Sequence, residues 1–300
     1  MRYFGPHSVL AVLLSALLLP GCRLPGGEGP VSKSLAESRQ LAQQGIAAAE
    51  RGQPQQAESL LADAVKACPV DPEARRHYAE VLWSRGATRE AIAQMEEVTQ
   101  LASEDAMLRV RLAEMYLAAG QMGLARQRAE QALDLNPKLP GAWAIRGRVM
   151  QAAGDQQQAL ADYHRSLACG PDDRQVLLDL AELHLQWNRP QRALAVLHRL
   201  GDTYSPGEEP QRVLYLTGLA YQALGRYEDS AENLSAAASR GDQTPEIFYR
   251  LGEAELLAGH PTEAAAAARR ALELQPQHAP SRNLMERIQL ASQPHGPALR

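Results

Sequence analysis

The chain has 300 residues, of which 45% are hydrophobic, 22% charged and only 5% aromatic. Its net charge of −4, from 31 basic and 35 acidic residues, argues against a strongly basic nucleic-acid binder. Only 3 cysteines occur, widely spaced, which excludes a disulfide-rich scaffold. Because the apolar residues are mainly Ala and Leu, with only 2 Phe, the composition favours packed helices over strands.

The first 21 residues have the pattern of a secretory signal peptide. Arg2 is followed by an apolar run over residues 9–19 and then by Pro20 and Gly21. As a helix, this run is far shorter than the roughly 30 Å hydrocarbon core of a bilayer. A charged start, a short apolar core and a small residue before a break predict that residues 1–21 are removed on export.

The tetrad that ends at Cys22 resembles the bacterial lipobox. Leu19 lies three residues before the cysteine and Gly21 directly before it, whereas Pro20 departs from the usual small or hydroxyl residue. The resemblance implies that Cys22 is diacylated and becomes the new N-terminus. In lipoproteins of this type, an Asp directly after the cysteine tends to retain the protein at the inner membrane. The residue at this position is Arg23, which resembles the pattern of lipoproteins sorted to the outer membrane, facing the periplasm. An ordinary signal peptide cleaved nearby and an uncleaved anchor are the alternatives.

Residues 22–34 are rich in Pro, Gly and Ser, and they predict a flexible linker after the cysteine. Beyond it, glycines recur with spacings of 34 residues, and an alanine lies five residues after each of them except Gly225, where Ser230 takes its place. The recurring positions are Gly52, Gly86, Gly120, Gly154, Gly225 and Gly259 and, for the alanines, Ala57, Ala91, Ala125, Ala159, Ala193 and Ala264. Pro69, Pro137, Pro171 and Pro276 end helical stretches in the same register.

This pattern is similar to the tetratricopeptide repeat (TPR), and the resemblance covers about residues 35–278. It implies an all-α, right-handed solenoid of about seven helix-turn-helix units. The units are 38–71, 72–105, 106–139, 140–173, 174–210, 211–244 and 245–278. A helix over 279–292 is expected to cap the stack, and residues 293–300 to form a disordered tail.

Each recurring residue has a physical role. Glycine supplies the left-handed conformation of the turn, and alanine lets the second helix approach the first closely. Asn188 replaces glycine in the fifth unit and tolerates the same conformation. The turn-forming residues 201–210 predict a longer loop, and a hinge, between the fifth and sixth units.

No motif of an enzyme occurs: there is no His-Glu-x-x-His, no phosphate-binding glycine loop and no Gly-x-Ser-x-Gly elbow. The histidines lack metal-ligand spacing, and His184 is predicted to be a core residue with satisfied hydrogen bonds. Cys68 and Cys169 are expected to be small buried residues. The sequence therefore predicts a protein that is not an enzyme and has no cofactor, metal or small-molecule substrate.

The resemblance further implies that the first helix of each unit lines a concave groove. Candidate partner-binding residues at the inward positions are Arg76, Trp83, Arg111, Glu114, Arg148, Glu182, Tyr215, Tyr249 and Arg250. Mixed charge with aromatic residues suits an extended peptide or a partner helix. A basic patch formed by Arg76, Arg111 and Arg148 is expected to bind a carboxylate of the ligand. Solvated side chains without a ligand are the alternative for each position.

The predicted function is a lipid-anchored scaffold or adaptor that binds other proteins in the bacterial cell envelope. Such a protein contacts the membrane through its N-terminal lipid and does not bind nucleic acid. A regulatory or targeting subunit of an envelope enzyme complex, with a transferase or a peptidase, is the alternative.

Overall fold

The computed structural model describes residues 30–291, with side chains from residue 33 onward. The predicted signal peptide, Cys22 and the tail 293–300 lie outside the described residues. The described chain consists of helices and short connections: α1 Pro30–Glu50, α2 Pro54–Ala67, α3 Pro72–Ser84, α4 Thr88–Leu101, α5 Ala106–Ala118, α6 Met122–Leu135, α7 Pro140–Ala152, α8 Gln156–Cys169, α9 Arg174–Gln186, α10 Pro190–Gly201, α11 Gln211–Ala223, α12 Tyr227–Ser239, α13 Pro245–Ala258, α14 Pro261–Leu274 and α15 Ala279–Ala291.

The helices form seven antiparallel pairs followed by one closing helix, α15, which packs on both helices of the last pair. This arrangement confirms the predicted all-α solenoid. Within residues 30–291, no helix is long and apolar enough to cross a membrane. The linker prediction for 22–34 is wrong at its end, because α1 begins at Pro30 and includes residues 30–34. Proline fits the first turn of a helix, and no helix-breaking residue stands between it and Leu35.

The turns within the pairs have the predicted backbone. The six periodic glycines adopt φ values between +72° and +90°, in the left-handed region that glycine enters without steric cost. Asn188 adopts φ +52° and is the single non-glycine residue with positive φ in the described part of the chain. Asparagine therefore replaces glycine in the fifth unit and keeps the left-handed backbone conformation of the turn.

The two helices of a pair approach each other where small residues meet. The periodic alanines are fully buried, and Ser230, which takes their place in the sixth unit, is buried as well. In the fourth unit the facing helix has a glycine at this approach, and a Cβ added to Gly147 would lie 2.7 Å from Cε1 of Tyr163. Ser230 Oγ donates a hydrogen bond of 2.9 Å to the carbonyl of Gly218, so the hydroxyl fits the same close approach.

Buried tyrosines fill space between packed helices of the array. Tyr116 and Tyr163 are 2% and 0% exposed, and Tyr163 Oη donates to Gln151 Oε1 over 2.6 Å. Burial, and then the hydrogen bond with Glu96, raises the pKa of Tyr116 to about 12. Trp143 is half-buried at the edge of the cluster that contains Tyr116.

The predicted long loop joins the fifth and sixth units, since α10 ends at Gly201 and α11 begins at Gln211. Both neighbouring units hold it. Arg174 Nε donates to Thr203 Oγ1 over 2.9 Å, and Arg240 Nη2 donates to the carbonyl of Gly207 over 2.5 Å. These bonds restrict the hinge that the sequence predicts there.

Two predictions about single core residues need correction. Cys68 is buried, but Cys169 is exposed because it ends α8 on the outer side, where Leu135, 34 residues earlier, is also 39% exposed. His184 is 3% exposed as expected, yet its Nδ1 has no hydrogen-bond partner. It is a buried histidine that is not fully satisfied.

Candidate partner-binding groove

The first helices of the pairs lie on the inner side of the array. Neighbouring first helices touch at several places, such as α1 with α3, α5 with α7 and α11 with α13, whereas the second helices of neighbouring units have no comparable contacts. The first helices therefore follow the shorter, concave path. We refer to the surface formed by α1, α3, α5, α7, α9, α11 and α13 as the groove.

All nine candidate residues lie on first helices and keep part of their surface exposed. Arg76 and Trp83 are on α3, Arg111 and Glu114 on α5, Arg148 on α7, Glu182 on α9, Tyr215 on α11, and Tyr249 and Arg250 on α13. The periodicity thus places them correctly on helices, but it does not predict how they pair.

The prediction of a basic patch that binds a ligand carboxylate is wrong, because each of its three arginines already pairs with a carboxylate of the chain. Arg111 holds Glu80 through Nε–Oε1 and Nη2–Oε2 distances of 2.7 and 2.6 Å. Arg148 Nε donates to Asp179 Oδ2 over 2.7 Å, and Arg76 pairs with a glutamate one turn earlier on its own helix. The hydrogen bonds with Glu80 are the largest cause that raises the pKa of Arg111 above its ordinary value.

Ion pairs between neighbouring first helices recur along the groove. Arg111 with Glu80, Arg148 with Asp179, Arg212 with Glu182 and Arg287 with Glu253 join residues 30 to 34 positions apart, at 2.6 to 3.4 Å. We call these four pairs the charge ladder. They neutralise the charges in the middle of the groove, and they tie each unit to the next. Arg287, on the capping helix, was not among the predicted groove residues.

The predicted groove aromatics are each covered on one face by an arginine. The guanidinium carbon lies 5.9 Å from the ring centre of Trp83, 5.8 Å from that of Tyr215 and 5.1 Å from that of Tyr249. The arginines are the groove residues Arg111, Arg212 and Arg250. Such distances are within the range of cation–π attraction. A ligand in the groove would therefore contact the edges of these aromatic rings together with the guanidinium groups.

Two pockets open in the groove, one near each end of the array. The N-terminal pocket, about 200 Å³, lies between α1 and α3 and is lined among others by Gln43, Ile46 and His77. The C-terminal pocket, about 310 Å³, lies between α11 and α13 and is lined among others by Tyr215 and Ile247. Burial, and then the charge of Arg76, lowers the pKa of His77 below its ordinary value. Both pockets combine an apolar wall with polar side chains, as peptide side-chain pockets do.

Among the residues that the structure describes, no group of three or more His, Cys, Asp or Glu is placed to hold a metal ion.

The repeated helix pairs, with their continuous inner groove, define a repeat solenoid of the class that holds other proteins together. A model of the tetratricopeptide repeat matches residues 43–106, 146–201 and 215–279, which is more than half of the chain. The chain belongs to the tetratricopeptide repeat family, whose members bind other proteins or peptides.

One curated relative matches in part. A segment of 88 residues, 29% of this chain, is 39% identical to the cellulose synthase operon protein C of Xanthomonas axonopodis pv. citri (strain 306). The chain covers 6% of the length of that protein.

Two solved structures share the fold. YrrB, described as a TPR protein with an unusual peptide-binding site, is 16% identical, with a TM-score of 0.58 over 64% of this chain and 97% of its own. A tetratricopeptide repeat protein from Parabacteroides merdae ATCC 43184 is 14% identical, with a TM-score of 0.59 over 85% and 99%. At this level of identity, both likenesses show the fold alone.

Proposed function

We propose that this protein is a non-catalytic, lipid-anchored scaffold of the bacterial cell envelope that binds an extended peptide or a helix of a partner protein in its groove. The observation that carries the proposal is the pair of pockets near the two ends of one continuous inner surface. Between them, the charge ladder leaves the groove with little net charge. Recognition therefore depends on apolar side chains at the two pockets and on hydrogen bonds along the ladder.

The envelope location rests on the sequence before the described residues. Cys22 follows Leu19, Pro20 and Gly21 in the lipobox-like tetrad, and a short apolar run precedes them. Several acyl chains, at about 0.8 kcal/mol for each buried CH₂, hold a protein of this size firmly to a bilayer. Orientation toward the periplasm at the outer membrane is part of the same proposal.

Site-specific photo-crosslinking in cells tests the groove. A photoreactive residue replaces Gln43 in the N-terminal pocket or Arg212 in the C-terminal pocket, and in the control it replaces Glu97 on α4. All three side chains are exposed, and only Glu97 belongs to a second helix. We expect the two groove positions to capture the same partner and Glu97 to capture none. A partner captured only at Glu97, or none at either groove position, contradicts the proposal.

Cell fractionation tests the anchor separately. Cys22→Ala is expected to release the protein from the membrane fraction, while Cys169→Ala, which removes an exposed thiol of the folded body, leaves it bound. If Cys22→Ala stays in the membrane fraction, the lipid anchor is wrong and an uncleaved N-terminal segment replaces it. The groove proposal is unaffected by that result.

The second candidate function is a regulatory or targeting subunit of an envelope enzyme complex. The partial match to a protein whose name contains a cellulose synthase operon favours it. Co-purification distinguishes the scaffold from the enzyme subunit. A subunit of an enzyme complex is recovered together with a transferase or peptidase activity, and this activity is lost from cells that lack the photo-crosslinked partner.

A further inference from the structure

A crevice on the outer side of the array lies between the fifth and sixth units. It opens between the second helices α10 and α12, its floor is α11, and the loop of residues 201–210 forms one wall. Its volume is about 520 Å³, which is within the range typical of ligand sites, and one side is open to solvent. Val213 and Thr217, which line it, lie on the other face of α11 from the groove residues Arg212 and Tyr215. An occupant of the crevice therefore does not compete with an occupant of the groove.

The loop that forms the wall is fixed in place. The fifth unit, residues 174–210, is three residues longer than the others, and its connection to the next helix is correspondingly long. Tyr204 and Pro206 of this loop line the crevice, and the guanidinium carbon of Arg174 lies 4.2 Å from the ring centre of Tyr204. Arg240, from the sixth unit, donates to a carbonyl of the loop. Contacts with both units thus hold the wall in position, and the crevice is preformed.

The floor of the crevice is apolar. Leu197, Val213 and Tyr221 are buried, and so is Thr217 with its methyl group. The crevice at the corresponding place between α4 and α6 is different, because charged side chains of both signs line it: Glu96, Arg109, Arg128 and Asp134. Apolar walls with a few polar groups are typical of small-molecule sites. The crevice between α10 and α12 therefore suits a ligand with an apolar body.

The uncharged polar side chains of the lining donate their hydrogen bonds within the protein. Thr217 Oγ1 and Asn233 Nδ2 each donate over 2.8 Å to the backbone carbonyl four residues earlier on the same helix. His198 Nε2 and Tyr221 Oη are bonded to each other at 3.2 Å. Oδ1 of Asn233 accepts no hydrogen bond from a described residue. The lining therefore offers acceptors, and it suits a ligand that donates hydrogen bonds.

Two carboxylates stand at the rim, and one of them has no partner. Glu209 pairs with Arg240 at 3.3 Å and also accepts from a backbone N–H of its own loop. Asp202 is exposed and forms no ion pair or side-chain hydrogen bond with any described residue. Arg174 and Arg240 bind the loop without lining the crevice, and His198 is the one basic group among its described lining residues. The charge of the lining therefore favours a cation.

We propose that this crevice binds a small molecule with an apolar body and a primary ammonium group. The apolar body packs on Leu197, Val213 and Tyr221, and the ammonium pairs with Asp202. An ammonium has donors and no acceptor, which matches a lining that offers acceptors. A charge-assisted hydrogen bond is stronger than a neutral one, so an amine is favoured over an alcohol of the same shape. The site is independent of the groove and of the lipid anchor.

Calorimetric titration of the full chain with 2-phenylethylamine tests the site. 2-Phenylethanol is the uncharged control of the same shape, and phenylacetate is the anionic control. We expect the amine to bind about fivefold or more tightly than the alcohol, and phenylacetate not to bind. Added salt is expected to weaken the amine but not the alcohol, because it screens the ion pair. No binding of the amine, equal affinities of the amine and the alcohol, or binding of phenylacetate contradicts the proposal.

Two variants locate the binding. Asp202→Asn breaks no ion pair of the described chain, and it is expected to weaken the amine about fivefold while 2-phenylethanol changes by less than about twofold. Gly201→Trp is expected to abolish binding of both, because Gly201 lines the crevice and its added Cβ meets no atom within 4 Å. Gly123→Trp on α6, where the added Cβ also meets open space, is the control and is expected to bind like the wild type. An unchanged affinity in Asp202→Asn or in Gly201→Trp overturns the site.

A lysine side chain of a partner protein also carries an ammonium on an apolar stem. Acetylated and amidated Gly-Lys-Gly distinguishes this source from a small molecule. We expect the peptide to bind more weakly than 2-phenylethylamine, because the flexible lysine stem loses more conformational freedom on binding. Tighter binding of the peptide, weakened by Asp202→Asn, overturns the small molecule as the occupant.

Discussion

Arg111 on α5 donates to both carboxylate oxygens of Glu80 on α3 through one edge of its guanidinium, Nε to Oε1 at 2.7 Å and Nη2 to Oε2 at 2.6 Å. The two residues are 31 positions apart and belong to different units. A bidentate pair fixes both the distance and the angle between its partners. This contact therefore helps to set the spacing of the second and third units, and with it the local width of the groove.

A double-mutant cycle measures the strength of this pair. With Arg111→Ala and Glu80→Ala, we expect a coupling free energy of unfolding of about 1 kcal/mol, the upper end for ion pairs that water screens, because the contact is bidentate and both side chains are only one-third exposed. The control is the pair of Arg126 and Glu130, one turn apart on α6 and more exposed, with an expected coupling of about 0.3–0.5 kcal/mol. Urea unfolding checks both. A coupling no larger than that of the control contradicts a role in joining the units.

The helix pairs were predictable from the sequence because their determinants are local and repeated. A left-handed turn needs glycine or asparagine, and a close approach of helices needs alanine, so Gly154 and Ala159 indicate their roles by spacing alone. The charge ladder was not predictable in the same way. Arg148 meets Asp179 because of the angle at which the fifth unit packs on the fourth, and no single-helix pattern contains that angle. An assignment made helix by helix therefore predicts which helix carries each side chain, but not the partner that the side chain meets in the next unit.

Gly147→Ala is expected to destabilise the fold by about 1–3 kcal/mol. The added Cβ would lie 2.7 Å from Cε1 of Tyr163, a side chain that is fully buried and has no room to move. Gly123→Ala is the matched control, since that glycine also lies within a helix and no atom stands within 4 Å of its added Cβ. There, the same change is expected to be neutral or stabilising by up to about 1 kcal/mol. Thermal unfolding followed by circular dichroism compares them, and equal midpoints contradict the close-approach argument.

Asn188→Ala is expected to lower the free energy of unfolding by about 1 kcal/mol, because alanine has no compensation for the left-handed conformation at φ +52°. Asn188→Gly restores the residue type of the other units and is expected to match or slightly exceed the wild type. Chemical denaturation of the two variants decides between backbone strain and a side-chain contact. If Asn188→Gly is as unstable as Asn188→Ala, the amide side chain matters through a contact instead.

Stability is expected to decrease as the pH falls below about 6.5, partly because of His184. Burial, and then Arg192 and His164, lowers the pKa of this residue from its ordinary value of 6.5. Below pH 6.5 the unfolded chain therefore takes up a proton that the folded chain resists, which favours unfolding. The contribution is fully present above the unfolded pKa and is lost as the pH falls toward the folded one. Urea unfolding between pH 7.5 and 5 checks it, and His184→Gln is expected to flatten the profile.

Two other histidines provide the controls for this profile. The pKa of His77 is lowered by burial and then by Arg76, so His77→Gln flattens the profile in the same sense. The pKa of the exposed His260 is raised, mainly by its hydrogen bond with Glu255, so its contribution is present below pH 6.5 and lost as the pH rises through the folded value. His260→Gln is therefore expected to make the acid-side decline steeper. If His184→Gln leaves the slope unchanged while His77→Gln removes it, the buried ring on α9 is not the group that titrates.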